Sequence, residues 1–319
     1  MKALAVGIAA LVVSAAAVPL CIAAAHRWDI LDRPGPLKSQ RAPVPYLGGV
    51  AVFCGVVVGA LASRPIILLP ITAALALGVA DDKFALPASY RLAGQIGIGV
   101  LVALVVPLHL PGGIGVPLLA VSSIVLINGF NMLDGLDMLA GGVGAVAAAG
   151  FAILLLNSGR ILAAVLAGSL LTFLWYNRPP ARIYLGDGGS YLIGTTSAVL
   201  LAYAWGAGVG AATGVVSLAI LAVPAAEVAC AIVRRWRGHG PLLAGDRSHP
   251  YDLLVANGWT AVAASAAYIA AQGLIVIVVA SVDHTSMTAA LVVDASITAA
   301  VLGAAALVGG LNKPAEARP

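Results

Sequence analysis

Long apolar stretches separated by short polar segments run along almost the whole chain, and they limit the fold more than any other feature. A helix needs about 20 apolar residues to cross the ~30 Å hydrocarbon core of a bilayer. Only 9% of the residues are charged, whereas soluble domains carry about 25%. Strands of a membrane barrel would alternate polar and apolar residues, and the sequence lacks that alternation. The sequence therefore predicts an all-α polytopic membrane protein that forms a single integral membrane domain over residues 1–319.

The apolar stretches give eleven candidate transmembrane helices, so we expect ten or eleven spans. They cover residues 3–25, 46–62, 65–80, 92–107, 116–128, 138–156, 161–177, 189–205, 211–233, 259–280 and 288–310. The first stretch is longer than the apolar core of a signal peptide, so we interpret it as a retained helix. The stretches 65–80 and 116–128 are short, and we expect these helices to include flanking residues.

Basic residues are distributed unevenly between the two sides of this topology. The segments after the first, third, fifth, seventh and ninth spans hold twelve of the 17 lysines and arginines. The positive-inside rule places these five loops in the cytoplasm, which predicts an inner-membrane protein. Nine of the 13 acidic residues lie in the same loops, although that rule hardly constrains acids. We therefore expect the five cytoplasmic loops to form the active site.

One loop carries four polar residues spaced by three, namely Asn128, Asn131, Asp134 and Asp137. Three residues of α-helix rotate a side chain by about 60° from its starting direction, so Asn131 shares a face with Asp134, and Asp134 with Asp137. Asn128 would turn away unless the chain is unwound there. Helix capping at a membrane exit is the alternative explanation, but capping uses only one or two such residues.

Two further loops place acids beside unusual neighbours. Asp81 and Asp82 follow the third span, and adjacent carboxylates there repel unless a divalent metal or a base such as Lys83 or Arg91 lies close. Asp187 lies among glycines at the start of the eighth span, where backbone N–H groups suit phosphate.

The last cytoplasmic loop places an acid, a guanidinium and an imidazole within four residues. Arg247 can hold phosphate oxygens through paired donors, whereas His249 admits both a functional role and that of an ordinary loop histidine. Glu227 and Asp294 lie inside apolar spans and show no evident charged partner at the same depth, which leaves a transport path open.

Many carboxylates with little sulfur favour Mg²⁺ or Mn²⁺ over zinc. Together with arginine and glycine turns at a lipid interface, they favour transfer chemistry on a phosphate or diphosphate. The sequence contains no P-loop motif for ATP-driven transport. Two alternatives stay open: a polytopic transporter that uses intramembrane carboxylates, and an inactive scaffold of the same fold.

Five stretches, in order along the chain, resemble the polyprenyl-phosphate N-acetylhexosamine-1-phosphate transferase family, also called glycosyltransferase family 4. They are DRPGPLKSQRAPVPYLGG (32–49), DDKFALPASYRLAGQ (81–95), NGFNMLDGLDMLAGG (128–142), ARIYLGDGGSYLIG (181–194) and DRSHPY (246–251). The resemblance implies transfer of a sugar 1-phosphate from a UDP-amino sugar to polyprenyl (undecaprenyl) phosphate with Mg²⁺. The products would be polyprenyl-diphospho-sugar and UMP, in the step that initiates a cell-envelope glycan. The implied partners are these two substrates, the lipid bilayer and, since family members are often dimers, a second copy, with no nucleic acid.

The resemblance also assigns roles to individual residues. Catalytic roles go to Asp81, Asp82 and His249, with one of the aspartate pair deprotonating or orienting the lipid phosphate. Metal binding goes to Asp187 with Asp82. Substrate-binding roles go to Asn128, Asn131, Asp134, Gly135, Leu136, Asp137, Tyr184, Arg247, Lys38 and Arg91. In this set Tyr184 stacks on uracil, Gly135 and Leu136 lie near it, and Arg247 and His249 reach the diphosphate.

The chain departs from the family pattern at three places. Met138 replaces a glycine of the usual DGxDGLA motif, the family's run of histidines keeps only His249, and the residues around Lys38 read Leu-Lys-Ser-Gln. The single histidine resembles the O-antigen-type branch, which contributes to lipopolysaccharide, rather than the peptidoglycan branch.

Overall fold

The computed structural model describes residues 1–34, 42–106, 108, 113–206, 210–238, 248–282 and 286–312. The helices of this part of the chain are α1 (Lys2–Arg27), α2 (Gly48–Ser63), α3 (Leu68–Phe84), α4 (Ala88–Val105), α5 (Gly115–Leu133), α6 (Leu139–Leu154), α7 (Asn157–Asn177), α8 (Gly186–Ala204), α9 (Ala211–Ile220), α10 (Ala222–Arg237), α11 (Pro250–Ala256), α12 (Ala261–Ser281) and α13 (Met287–Leu307). Two short antiparallel strands, β1 (Leu31–Asp32) and β2 (Val44–Pro45), pair in the first loop. The predicted all-α class is confirmed.

The helices match the predicted apolar stretches one by one. Seven helices in the described ranges are long and apolar enough to cross a membrane: α1, α3 with the 3-10 turn before it, α4, α5, α7, α12 and α13. The predicted span 211–233 is instead two helices, α9 and α10, bent by 62°, which add an eighth crossing if they count as one. Helices α2 and α6 are shorter apolar helices. The prediction of a polytopic membrane protein is confirmed.

Almost every residue of α8 is buried, and glycines let two other helices approach it closely. A Cβ added to Gly78 of α3 would lie 2.5 Å from the amide nitrogen of Gly188. A Cβ on Gly194 would lie 2.5 Å from the Cα of Ile127 in α5. Small residues at such crossings let helix backbones pack tightly in a membrane. As a result, the C-terminal ends of α3 and α5 reach the start of α8.

The two short predicted helices include flanking residues, as expected, and this moves residues predicted in loops onto helices. Helix α3 continues to Phe84 and α5 continues to Leu133, past the predicted ends at residues 80 and 128. Asp81 and Asp82 therefore lie in the last turn of α3, and Asn128 and Asn131 lie on α5. Polar residues can occupy these last turns because their side chains face an internal cleft rather than lipid.

Candidate active site

Most of the predicted site residues surround one cleft with a volume of about 1280 Å³. Its walls come from α3, α4, α5, α8, α10, α11 and the segments between them. The predicted residues among its lining are Asp81, Asp82, Arg91, Asn128, Asn131, Asp134, Gly135, Leu136, Asp137, Tyr184, Asp187 and His249. Residues separated by more than 150 positions in sequence therefore meet at one site.

The adjacent carboxylates of α3 point to different partners. Asp81 is 6% exposed and accepts hydrogen bonds from the Tyr191 hydroxyl at 2.9 Å, the Leu86 amide at 2.9 Å and the Arg91 guanidinium at 3.3 Å. Arg91 is thus the basic partner of this pair, whereas the Lys83 ammonium lies over the Phe84 ring. Asp81 is held on three sides, and this favours a supporting role for it.

Asp82 binds the N-terminus of α8. Its carboxylate accepts the backbone N–H of Asp187 at 2.9 Å and that of Gly188 at 3.2 Å. The first N–H groups of a helix lack partners within the helix and carry partial positive charge, so a carboxylate stabilises them. Gly186 precedes them with a φ of +72°, which glycine adopts without strain. This turn fixes Asp82 and Asp187 against each other.

The two asparagines of α5 have different neighbours. The Asn131 amide donates to the carboxylate of Asp187 at 2.5 Å and also contacts the Ser190 hydroxyl at 3.3 Å. Asn128 lies one turn earlier and donates to the side-chain oxygen of Gln95 in α4 at 2.7 Å. Because the helix stays regular here, Asn128 points away from the acids, as expected for a chain that is not unwound.

The turn between α5 and α6 carries Asp134 and Asp137. Burial raises the pKa of Asp134 well above its ordinary value, and the nearby charges of Asp187, Asp82 and Asp137 raise it further. Burial also raises the pKa of Asp137, although its carboxylate accepts the N–H of Ala181 at 3.3 Å. These acids therefore form one negative region that holds protons or attracts a cation.

Met138 ends this turn in a conformation that favours glycine. Its φ is +68°, in the left-handed region that costs an L-residue about 1–2 kcal/mol. The Asn177 side chain holds it there by accepting the Met138 N–H at 2.7 Å. The structure thus explains why a glycine is usual at this position of the motif.

Two tyrosines line the cleft beside the acidic turn. The rings of Tyr46 and Tyr184 lie 6.3 Å apart and are inclined by 51°. Burial, together with the carboxylates of Asp137, Asp32 and Asp134, raises the pKa of Tyr184 to about 12. Both rings offer a flat apolar surface to a ligand. The sequence prediction named Tyr184 and missed Asp32 and Tyr46, which line the cleft from β1 and from the residue directly after β2.

His249 is buried against α10 at the edge of the cleft. Its Nδ1 lies 3.1 Å from the Glu227 carboxylate, whose other oxygen accepts the Tyr268 hydroxyl at 2.9 Å. The ring stacks on Tyr251 with 5.4 Å between the centroids. Glu227, for which the sequence showed no evident charged partner, thus contacts an ionisable side chain. Sequence reasoning missed this pair, although a carboxylate in an apolar helix is itself a signal that a partner exists.

Comparison with known proteins identifies the family of this site. A model of glycosyl transferase family 4 matches residues 65–204. The decaprenyl-phosphate N-acetylglucosaminephosphotransferase of Mycolicibacterium smegmatis is 31% identical over 305 aligned positions, which cover 79% of this chain and 75% of the relative. The undecaprenyl-phosphate alpha-N-acetylglucosaminyl 1-phosphate transferase of Yersinia pestis is 28% identical over 265 positions, or 74% of this chain and 72% of the relative. The chain belongs to the polyprenyl-phosphate N-acetylhexosamine-1-phosphate transferase family.

As a member of this family, the chain is a membrane-bound sugar-1-phosphate transferase that acts on polyprenyl phosphate. The motifs named for the resemblance at 81–95, 128–142 and 181–194 lie within or across the matched range and line the transferase cleft. Two predicted substrate-binding residues, Lys38 and Arg247, fall outside the described residues. The roles of the described site residues stay predictions.

Proposed function

We propose that this transferase moves a HexNAc 1-phosphate from a UDP-amino sugar to polyprenyl (undecaprenyl) phosphate and releases UMP. The observation that carries the proposal is the meeting of Asp82, Asp187 and Asn131, from three helices, on one cleft large enough for both substrates. The excess of lysine and arginine in the same loops supports a cytoplasmic opening at the inner membrane. Family membership favours this reaction over the transporter alternative.

The acidic lining supports Mg²⁺ or Mn²⁺ as the cofactor. The carboxyl groups of Asp82, Asp187 and Asp137 lie close enough to Asp134 for their negative charges to raise its pKa. A bound cation would therefore reduce the repulsion between these acids. In the described part of the chain, no three histidine, cysteine or acidic side chains lie close enough to enclose a metal on their own. Mg²⁺ fits such a site because it commonly takes one or two carboxylates and completes its shell with water and substrate phosphates. When bound, it would neutralise charge on the diphosphate, with Asp187 and Asp82 as the proposed ligands.

The proposed transfer needs one bond made and one broken. An oxygen of the lipid phosphate attacks the β-phosphorus of the donor, and the bond from that phosphorus to the bridging oxygen breaks. UMP leaves with the bridging oxygen, and the sugar stays on the transferred phosphate. We assign orientation of the attacking phosphate, and acceptance of its proton where it carries one, to Asp82, because two α8 amides hold its carboxylate at the cleft. Asp81 is engaged by Arg91 and Tyr191 and supports this arrangement.

The lining of the cleft includes both aromatic and aliphatic residues, which supports a separate place for each substrate. Tyr46 and Tyr184 lie beside the acidic turn and offer flat rings for a nucleobase. Apolar side chains of α5 and α10 line another wall, namely Ile124, Val125, Val228 and Ile232. A polyprenyl chain would gain about 0.8 kcal/mol for each buried methylene along such a wall. We place the donor at the tyrosines and the lipid acceptor at the apolar wall.

The cellular role follows from the product. A polyprenyl-diphospho-sugar would initiate a cell-envelope glycan. Relatives in mycobacteria carry N-acetylglucosamine in their names. The proposal therefore includes glycans other than the lipopolysaccharide O-antigen expected from the single histidine. The homodimer expected from the family stays a prediction.

Membranes containing the protein provide the test. UMP should form only when undecaprenyl phosphate, Mg²⁺ and a suitable member of a panel of UDP-amino sugars are all supplied, and EDTA should stop it. Asp187→Ala should abolish UMP release, whereas Asp294→Asn, which changes an acid of α13 away from this cleft, should not. Absence of UMP with every donor, or undiminished release by Asp187→Ala, would contradict the proposal.

A further inference from the structure

Glu227 is a carboxylate that the reaction above does not use. It lies on α10 with 2% of its surface exposed. One oxygen accepts the Tyr268 hydroxyl at 2.9 Å, and the other lies 3.1 Å from Nδ1 of His249. A buried carboxylate is costly unless both charge and hydrogen bonds are matched. Glu227 therefore depends on His249 and Tyr268 for its place in the protein interior.

The His249 ring is held by more than this contact. Tyr251 stacks on it, with the two ring planes inclined by only 4°. The Tyr251 hydroxyl donates to the backbone oxygen of Met132 at 2.8 Å, in the last turn of α5. A Cβ on Gly135 would overlap that hydroxyl. Together these contacts fix the imidazole relative to the end of α5 and the acidic turn that follows it.

We infer that Glu227 is a positioning residue for His249, accepting a hydrogen bond from its Nδ1–H and so fixing the orientation of the imidazole at the cleft beside the donor diphosphate. The inference rests on the proposed function, because the diphosphate is the group that the oriented imidazole would meet. A carboxylate can only accept hydrogen bonds, so its position against Nδ1 favours a proton on that nitrogen. Hydrogen bonds to charged groups are roughly twice as strong as neutral ones. The negative charge of Glu227, and not only its shape, is thus the property that matters.

Glu227→Gln separates charge from shape. Glutamine can still accept from His249 through its oxygen and donate to the Tyr268 oxygen through its nitrogen. We expect kcat for UMP release to fall about 10- to 100-fold, the size of a lost charged hydrogen bond. The KM for the UDP-amino sugar and the thermal unfolding midpoint should stay close to wild type, since binding groups and packing remain. A kcat within twofold of wild type would overturn the inference.

A double-mutant cycle tests whether Glu227 acts through His249. If it does, Glu227→Gln combined with His249→Gln should be no slower than His249→Gln alone. Multiplied losses would show that Glu227 acts elsewhere and would overturn the inference. Asp294→Asn is the matched control, because Asp294 is another acid in an apolar helix but lies on α13, and its kcat should be unchanged. If Glu227→Gln does not fold, Tyr268→Phe replaces it in the cycle and should show a smaller loss of the same kind.

Carbethoxylation of His249 by diethyl pyrocarbonate, followed by mass spectrometry, gives a readout that needs no turnover. A neutral glutamine holds the Nδ1–H of His249 less tightly than the carboxylate does, so the imidazole of Glu227→Gln should react faster than that of wild type, and that of Asp294→Asn should not. An unchanged rate would overturn the inference even if the enzyme is active. Wild-type protein that releases no UMP from any donor would refute the proposed function alone. The modification rate would still test whether Glu227 positions His249.

Discussion

Gly78→Ala is expected to damage the active site without changing any functional group. In α3, Gly78 faces the first turn of α8, and an added Cβ would lie 2.5 Å from the amide nitrogen of Gly188 and would overlap the carbonyl of Asp187. Ordinary contact begins at 3.4 Å, so the two helices must separate by about 1 Å. The obstructing atoms are backbone, which has no rotamer to move out of the way. The shift falls on the amides that hold Asp82.

The expected effects on stability and on activity differ in size. Overpacking costs roughly 1–3 kcal/mol, and alanine recovers about 0.5–1 kcal/mol of helix preference over glycine. The net loss of about 0.5–2 kcal/mol should lower the unfolding midpoint by only a few degrees. A misplacement of about 1 Å at a reacting centre costs about 100-fold in rate. UMP release in detergent or membranes should therefore fall about 100-fold in a protein that remains folded.

Gly97→Ala supplies the matched control. Gly97 lies in α4, and an added Cβ there meets nothing within 4 Å. The same substitution should then leave UMP release unchanged and raise the unfolding midpoint slightly, because only helix preference changes. Gly78→Ala with UMP release within threefold of wild type would refute the argument that the α3–α8 contact positions Asp82.

Three further predictions concern the acidic turn and its neighbours. Asn131→Ala removes the amide bonded to Asp187 and should lower kcat about tenfold or more, whereas Asn128→Ala, one turn away, should affect it less in the same UMP assay. Met138→Gly should raise the unfolding midpoint, because it relieves about 1 kcal/mol of left-handed strain; a lower midpoint would contradict this. Since the pKa of Asp134 is raised on folding, the folded state keeps a proton that the unfolded state releases, and stability should fall as pH rises above the ordinary aspartate range. Unfolding midpoints in EDTA should then decrease from pH 5.5 to pH 8, Mg²⁺ should reverse the decrease, and a flat profile in EDTA would contradict the electrostatic argument.

The sequence was sufficient to predict the helices because membrane spans depend on length and hydropathy, which are local properties. Each of the eleven predicted stretches coincides with a helix or a bent helix pair. The ends of the helices were harder to predict, because α3 and α5 carry polar residues in their last turns, where hydropathy alone predicts a loop. Asp82, Asn131 and Asp187 could each be predicted as site residues, but the hydrogen bonds between them could not, because those contacts join residues 105 and 56 positions apart.

The Glu227–His249 pair shows why the remaining part of the site was not predictable. Hydropathy predicts that 211–233 forms one straight span. In a straight helix, the neighbour of Glu227 could not be predicted, and its side chain could face lipid. The 62° bend between α9 and α10 redirects α10 so that Glu227 meets the loop that carries His249. The short helix α11 then begins at Pro250, directly after His249, and a segment of seven residues is too short for a periodic pattern. The position of the carboxylate thus depends on a helix break that hydropathy does not show. Pro224 marks the break, because proline has no N–H for the Ile220 carbonyl, which accepts the Gln272 amide at 2.9 Å instead.

The donors that hold each acid determine how charge is distributed across the site. The carboxylates that face the cleft from α3, α8 and the α5–α6 turn are held by backbone amides and Asn131, and these neutral donors bring no positive charge to the site. Arg91 neutralises Asp81 instead, on the side of α3 that Tyr191 covers. A site that neutralised every acid with its own cation would have no electrostatic reason to bind a metal and a diphosphate together. Neutral donors at the acids, with His249 held by Glu227 at the edge of the same cleft, keep both attractions available to the substrates.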